Sequence, residues 1–298
     1  MMRSYYFDYM ASTPCHPEVI KVMNDYLHSG QYSANPSSHH PYGQACQSAL
    51  RTLESEFLDI INGHHGRIIW TSGATEAINL ALQGACRQYQ HSGRHILSVQ
   101  TEHSATLETL HALSQEGFEV TLLPVNKDGL LDLSLLRKSM RSDTLIFSIM
   151  HVHNEIGVIQ NINDIANICY EHGVLCHVDC AQTIGKTTPK LPEKVSLASY
   201  SGHKCYGPNG IGALFISDCP KRQLKKLLYG GSQQHNLRAG TIPLFLIAGF
   251  VKAVQLSHQY HIRYLEHFAQ IHHLLSTKLH PKITWNGSVS SRAPQNIH

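Results

Sequence analysis

The chain carries little charge, and that charge is nearly balanced. Of its 298 residues only 15% are charged, with 24 basic and 21 acidic side chains, so the formal net charge is +3. A charge this small and evenly spread offers little to nucleic acid or to an anionic membrane surface, and we expect neither as a partner. Because 42% of the residues are hydrophobic, the chain can bury a large core, and disorder is not expected.

Long apolar runs are absent as well. No run reaches the roughly 18 residues that a membrane-spanning helix needs. The start, MMRSYYFDYM, lacks the basic and then apolar pattern of a signal peptide. We therefore expect a cytoplasmic protein with no membrane segment.

Paired cysteine and histidine motifs are also missing. The eight cysteines show neither a CxxC pair nor a regular spacing, which in a chain of this size indicates reduced thiols. Histidine is abundant, with 23 residues, but no HExxH-type spacing occurs and the His doublets lie in polar contexts. No metal site is expected.

From residue 67 onward, short β-rich runs alternate with amphipathic segments. The strands are predicted to be RIIWTS, HILSVQ, FEVTLLP, TLIFSIM and VLCHVDC, and the helices between them ATEAINLALQGACRQY, SATLETLHALSQEG, DLSLLRKSM and INDIANICYEHG. This alternation predicts an α/β fold with a doubly wound, mostly parallel sheet and helices on both faces. Ligands of such sheets bind at the carboxyl ends of the strands.

Two of these strand ends carry groups that suit an anion and a planar ligand. In TSGATEAINLA, Ala74 and Thr75 offer backbone N–H groups and a hydroxyl at a helix start, which suits a phosphate; a plain helix cap at Thr75 is the alternative. In TEHSA, His103 is placed to contact a ring or to move a proton, and a structural hydrogen bond is the alternative.

Two further strand ends carry a carboxylate and an amine. In HVDCAQTIGK, Asp179 follows a buried run and needs a cationic partner or a cap to offset its desolvation, and Gln182 is near enough to line the same cavity. In SYSGHKCYGPNGIGAL, Lys204 stands beside Ser201, His203 and glycines, a setting typical of a lysine that forms a Schiff base. Together these groups match the phosphate, ring, nitrogen and aldehyde of pyridoxal 5′-phosphate.

In order along the chain, these motifs resemble those of the cysteine desulfurases in the class V aminotransferase group. The resemblance runs through FDYMASTP, NPSSHH, TSGATEAINLA, TEHSA, SIMHVHNEIGVIQ, HVDCAQTIGK, SGHKCYGPNGIGAL, LRAGT and APQNI. It implies the type I fold of pyridoxal-phosphate enzymes and a homodimer. The implied reaction converts L-cysteine to L-alanine and passes its sulfur to an enzyme cysteine, then to an acceptor for iron–sulfur cluster or thio-cofactor supply.

The resemblance also implies a role for each site residue. Lys204 would attach the cofactor, His103 would lie on its ring, and Asp179 would pair with the ring nitrogen. The O3′ side of the ring would be contacted by Asn154 and Gln182. The phosphate would be held by Ala74, Thr75, Ser201 and His203, with Thr241 supplied by the other subunit.

The chain departs from the family pattern at several points. It has His153 where an asparagine is common, Gln234 where the family usually has an acidic residue, and Asn236 where it has glycine. The family's nucleophilic cysteine and its arginine for the substrate carboxylate lie beyond APQNI, so we expect both to be absent here. Cys180 and Cys205 follow cofactor residues and are expected to be small buried hydrophobes that do not replace the nucleophile.

The domain organisation is predicted from the same family resemblance and from the spacing of apolar residues. GQACQSALRTLESEFLDII has the apolar spacing of a helix, residues 243–279 predict one long helix or two, and KITWNG and RAPQNIH are each expected to enter a strand. We expect an N-terminal arm over 1–15, a large cofactor-binding domain over 16–249, and a bridging helix with the start of an incomplete small domain over 250–298.

Two other functions stay open at this point. One is a selenocysteine lyase or another β-eliminating pyridoxal-phosphate enzyme, whose chemistry needs no nucleophilic cysteine. The other is a non-catalytic remnant or scaffold that keeps the cofactor pocket.

Overall fold

The computed structural model describes residues 5–218, 223–278 and 284–298. Its helices are α1 (Pro17–His28), α2 (Pro41–Ile61), α3 (Ala74–Tyr89), α4 (Ser104–Gln115), α5 (Leu133–Ser139), α6 (Ile162–Glu171), the short α7 (Gln233–Asn236), α8 (Leu244–Gln259) and α9 (His261–Lys278). Its strands are β1 (Gly66–Thr71), β2 (His95–Val99), β3 (Glu119–Leu123), β4 (Thr144–Met150), β5 (Leu175–Asp179), β6 (Leu197–Ser201) and β7 (Gly212–Ser217).

The strands form one sheet in the order β1-β7-β6-β5-β4-β2-β3. Strands β2 to β6 run parallel to one another, whereas β7 is antiparallel to both β1 and β6. The predicted α/β fold with a mostly parallel sheet is confirmed. Because these parallel strands all end at one edge, the residues that follow β2, β4, β5 and β6 lie close together.

Helices cover both faces of the sheet. On one face, Ile146 and Leu197 of the sheet belong to the same buried cluster as Ala81 of α3. On the other face, the Phe57 ring of α2 packs edge-on against Trp70 and Tyr200, with ring centroids 5.5 and 5.4 Å away. Burial on both faces explains why the strand sequences are continuous apolar runs.

The predicted helices and strands between residues 67 and 179 are confirmed, as is the alternative of two helices after Pro243, whereas the strands predicted nearer the C-terminus are not found in the described residues. Residues 243–278 form two helices, α8 and α9, that meet at Tyr260. The strand predicted for KITWNG is wrong at 284–287, which form no strand, and residues 282 and 283 lie outside the described residues. RAPQNIH also forms no strand beyond a single bridge at Arg292.

The segment 284–298 packs on the loop between β4 and α6. Arg292 forms an isolated antiparallel bridge with Val158, and the Asn296 side chain donates a 2.5 Å hydrogen bond to the carbonyl of Glu155. Gly157 has a φ of +67°, and a Cβ there would lie 2.4 Å from Cβ of Asn296. The segment thus finds its partners in a loop, where Ala293 is fully buried, while Val289 and Ile297 stay exposed.

The predicted domain boundary between residues 249 and 250 lies within α8. Phe250 and Val254 of this helix are fully buried in the same cluster as Phe57 of α2. The helix therefore packs against α1 and α2 in the same buried core. The division into an arm, a large domain and a small domain stays a prediction.

A glutamine side chain covers the exposed edge of β1. Nε2 of Gln234 donates to the Trp70 carbonyl at 2.9 Å, and its Oε1 accepts from the Trp70 N–H at 2.6 Å. An edge strand otherwise presents unpaired peptide groups. A carboxylate cannot donate to the Trp70 carbonyl, which explains a glutamine at this position. Gln234, His235 and Asn236 all have positive φ, between 48° and 60°, so this contact holds a strained turn in place.

We expect Gln234→Glu to destabilise the protein by about 1–3 kcal/mol at pH 7.5, because the carboxylate faces a carbonyl and leaves it unpaired. Urea unfolding measures the change. Gln100→Glu is the matched control, since Gln100 is exposed. Equal unfolding midpoints for the two variants would contradict the role of Gln234.

Candidate functional site

A cavity of about 420 Å³ opens at the carboxyl ends of the parallel strands. This volume lies in the range of roughly 300–1,000 Å³ that is usual for small-molecule sites. The cavity brings together every predicted site residue except Thr241, namely Ala74, Thr75, His103, Asn154, Asp179, Gln182, Ser201, His203 and Lys204.

Lys204 ends the short 3₁₀ turn that follows β6. Its Nζ donates to the main-chain carbonyls of Ala11 at 2.7 Å and Met10 at 3.1 Å. Burial lowers the pKa of this amine, while Asp179 and Asp8 act in the opposite direction. A lowered pKa makes the neutral, nucleophilic amine more accessible at neutral pH.

Asp179 is the last residue of β5 and is 6% exposed. Its Oδ1 accepts a 2.9 Å hydrogen bond from the Ala181 N–H. Burial raises the pKa of this carboxyl, and the hydrogen bond and the charges of His103 and Lys204 lower it. Among the residues described, Asp179 forms no ion pair. Its carboxylate is stabilised by the hydrogen bond from the turn and not by a direct cationic partner.

Two histidines in the cavity are fixed by hydrogen bonds. His103 caps α4, with its Nδ1 accepting from the Ala105 N–H at 3.0 Å, so the neutral ring carries its proton on Nε2. Nδ1 of His203 shares a 3.0 Å hydrogen bond with Oγ of Ser201. Burial, and then the charge of Lys204, lower the pKa of His203.

The N-terminus of α3 contributes an anion-binding element. Its N-cap residue, Gly73, supplies no side-chain acceptor, so the first N–H groups of the helix receive no side-chain cap. Thr75 is the second residue of the helix and is exposed, so the alternative of a cap at Thr75 is wrong. One turn further on, Glu76 accepts from the Ser72 N–H at 2.7 Å and pairs with Arg238 at 2.9 Å.

The remaining predicted residues lie at the cavity wall or beside it. Asn154 belongs to the loop that packs against the segment 284–298. Gln182 is 4% exposed, and its Nε2 donates to the Met10 carbonyl at 2.7 Å. Thr241 is exposed and lines a smaller neighbouring pocket together with Arg238.

Two ionisable residues near the cavity were not predicted from the sequence. Glu102 is 6% exposed, and its Oε1 accepts from the Met150 N–H at 2.7 Å. Burial, reinforced by the charge of Asp179, raises the pKa of Glu102 well above its usual range. Lys186 is 6% exposed, and burial lowers its pKa to about 7. The sequence signal that could have identified Glu102 and Lys186 is a charged side chain next to a segment that is predicted to be a buried strand or turn.

The described residues were also compared with what a metal site and a membrane-spanning helix require. In residues 5–218, 223–278 and 284–298, no three His, Cys, Asp or Glu side chains are grouped to hold a metal ion. None of the helices described there has the length and apolar character to cross a bilayer.

The Glu102 carboxyl gives the protein a characteristic pH dependence. The group is protonated in the folded state above its ordinary pKa of 4.5, so the unfolded chain ionises first and stability falls as pH rises from 4.5 toward the folded pKa. We expect Glu102→Gln to gain stability relative to the parent by on the order of 1.4 kcal/mol per pH unit in this window. Thermal unfolding between pH 4.5 and 8 measures it, with exposed Glu108→Gln as control. A stability difference that does not change with pH would contradict a protonated Glu102.

Comparisons with known proteins agree with this site. The sequence pattern of the class V aminotransferase family matches residues 5–296. The cysteine desulfurase IscS of Vibrio campbellii is 39% identical over 297 residues, which cover 98% of this chain and 74% of the relative. The cysteine desulfurase IscS of Methylococcus capsulatus is 40% identical, over 98% of this chain and 73% of the relative.

Solved structures show the same likeness. A NifS-like protein superposes with a TM-score of 0.91 at 30% identity, covering 98% of this chain and 80% of that protein. A structure of SspA in complex with cysteine superposes with a TM-score of 0.79 at 34% identity, covering 85% and 72%. The chain therefore belongs to the class V aminotransferase family, in its cysteine desulfurase branch, with the type I fold and the pyridoxal 5′-phosphate dependence of those enzymes.

Proposed function

We propose that this chain takes L-cysteine as substrate, with pyridoxal 5′-phosphate attached to Lys204, and directs its sulfur to an acceptor for iron–sulfur cluster or thio-cofactor supply. The observation that carries the proposal is the convergence of Lys204, Asp179, His103 and the uncapped start of α3 on one cavity. Two findings on relatives support the proposal. Two proteins that are about 40% identical to this chain are cysteine desulfurases, and the similar SspA structure contains cysteine.

The residues present fit the cofactor. The phosphate suits the free N–H groups at the start of α3, with the hydroxyls of Thr75 and Ser201 and the His203 ring beside them. Asp179 is a buried carboxylate without an ion pair in the described part of the chain, and a protonated ring nitrogen would supply its missing cation. The aldehyde suits the Lys204 amine, whose lowered pKa favours its nucleophilic form.

When bound, the cofactor supplies the electron sink that makes the Cα proton of an amino acid removable. Asp179 sustains that sink by keeping a negative charge against the ring nitrogen. Asn154 and Gln182 would donate hydrogen bonds to the ring oxygen. His103, whose Nδ1 is engaged by Ala105, offers Nε2 for contact with the ring or for a proton. The Lys204 amine, whose pKa burial lowers, would be able to take up a proton in the cavity when it is not attached to the cofactor.

We further propose that the protein acts as a homodimer in the cytoplasm. Thr241 is exposed and lies in a pocket beside the cavity, next to Ser72 and Gly210, which line both. A second copy could therefore bring its own Thr241 to the phosphate. Sulfur transfer would also require an acceptor protein.

A β-eliminating reaction is the second candidate, and the state of two cysteines favours it. Cys180 and Cys205 are each 1% exposed, and burial raises the pKa of both thiols to about 12. Neither supplies a thiolate to the cavity, and an eliminating enzyme needs none. The products separate the two reactions: desulfuration gives alanine and sulfane sulfur, whereas elimination gives pyruvate, ammonia and sulfide.

Lys204→Ala should abolish covalent attachment of the cofactor. Borohydride reduction of the loaded parent protein, followed by peptide mass mapping, is expected to place the pyridoxyl group on Lys204. Exposed Lys190→Ala is the control and should be labelled like the parent. A pyridoxyl group on Lys186, the other amine with a lowered pKa, would refute the assignment.

Cys180 and Cys205 should resist both alkylation and persulfide formation. With a pKa of about 12, each thiol is ionised in only about one molecule in ten thousand at pH 8. Among the seven cysteines in the described residues, iodoacetamide should therefore label half-buried Cys15 first, and incubation with L-cysteine should leave both buried thiols unmodified on peptide maps. A persulfide on either cysteine would show that it takes the part of the nucleophile.

A further inference from the structure

Four hydrogen bonds link Lys186 and Lys204 in a closed ring. Nζ of Lys186 donates to the Gln182 side-chain oxygen and to the Lys204 main-chain carbonyl, the latter at 3.0 Å. Nε2 of Gln182 donates to the Met10 carbonyl at 2.7 Å. Nζ of Lys204 donates to that same carbonyl at 3.1 Å, which closes the ring. Three chain segments that are distant in sequence thus meet behind the cofactor cavity.

Lys186 occupies a position that is costly for an amine. It is 6% exposed, and in the part of the chain that the structure describes it pairs with no carboxylate. The nearby titratable groups are Lys204, a like charge, and the buried thiol of Cys205. A buried amine without a counter-ion lowers the stability of the folded protein. The contribution of Lys186 at this position is therefore its two hydrogen bonds.

The first of these bonds decides the orientation of the Gln182 amide. The two ends of an amide are similar in shape, and the hydrogen-bond partners determine which end faces which way. The protonated Lys186 amine has only donors, so it selects Oε1 as its partner and turns Nε2 the other way. Gln182 lines the cavity; one N–H of its Nε2 donates to the Met10 carbonyl, and the second is left for a group bound in the cavity.

The second bond fixes the main chain of Lys204. Its carbonyl is held by Lys186, while its side chain reaches the carbonyls of Met10 and Ala11. Removal of the Lys186 donor would leave that carbonyl unpaired in a buried place, and the turn that aims the amine would lose a support.

We propose that Lys186 is a positioning residue that orients the Gln182 amide and the Lys204 turn toward the cofactor. The inference rests on the proposed function, because a cofactor attached at Lys204 is what the two groups would meet. Lys186 itself does not line the cavity, so it acts through Gln182 and Lys204.

Lys186→Met tests this role, since methionine is unbranched, of similar length and without a donor. We expect the variant to bind pyridoxal phosphate about tenfold more weakly, as the loss of one well-placed hydrogen bond implies. The visible band of the cofactor that still binds should titrate at a different pH. The unfolding temperature of the cofactor-free variant should change little, because the cost of the unpaired Lys204 carbonyl is offset by the removal of a buried amine that has no counter-ion.

A merely structural role predicts the opposite set of results, with a lower unfolding temperature and a cofactor spectrum and titration like those of the parent. Lys190→Met is the matched control, since Lys190 is exposed in the same connection and should change none of these measurements. Gln182→Leu is the second variant and should reproduce part of the loss. In that background Lys186→Met should cost less than in the parent, because the two residues act in one path.

The outcomes separate this inference from the proposed function. If the parent binds pyridoxal phosphate and Lys186→Met binds it equally well with the same pH titration, the positioning role is overturned and the proposed function stands. If the parent shows no binding of pyridoxal phosphate, both fail together. Full additivity of Lys186→Met and Gln182→Leu would overturn the path through Gln182.

Discussion

In a sheet that is buried on both faces, polar side chains lie either inside the sheet or at the ends of its strands. Inside, they must be fully satisfied, as His177 shows: its ring nitrogens bond to Ser148 at 2.8 Å and Ser199 at 2.9 Å, and burial lowers its pKa to about 3. Two residues further along β5, at the strand end, Asp179 keeps a carboxylate with one hydrogen bond from a turn. Reactive groups can persist at the ends of the strands because the sheet leaves donors and acceptors unpaired there.

The sequence was informative wherever one local pattern decided the outcome. The alternation of apolar runs and amphipathic segments predicted the parallel sheet, and the residues that follow its strands predicted the cavity. It was uninformative where a side chain depends on a distant partner. Gln234 meets Trp70 across 164 positions of sequence, and no local pattern indicates that contact. KITWNG has the composition of a strand, but in the part of the chain that the structure describes no strand pairs with residues 284–287, and these form a loop.

The N-terminal segment supports the cavity mainly through its backbone. The hydroxyl of Thr13 donates to the His203 carbonyl at 2.8 Å and accepts from the Tyr206 N–H at 2.7 Å, while the Met10 carbonyl receives both Gln182 and Lys204. Backbone carbonyls are present whatever the side chain, so substitutions at Met10 or Ala11 leave these bonds available. These bonds depend instead on the side chains that donate them, namely Gln182 and Lys204.

The fit of Asn296 against Gly157 also bears on how the molecule is assembled. Asn296 and Glu155 are joined by a hydrogen bond although 141 positions separate them in sequence. Closing so long a loop carries an entropic cost, as does the pairing of β1 with β7 in the sheet. In the order of synthesis, residues 284–298 follow every strand of that sheet. The Asn154 wall of the cavity is therefore complete only once this segment has docked on the loop between β4 and α6.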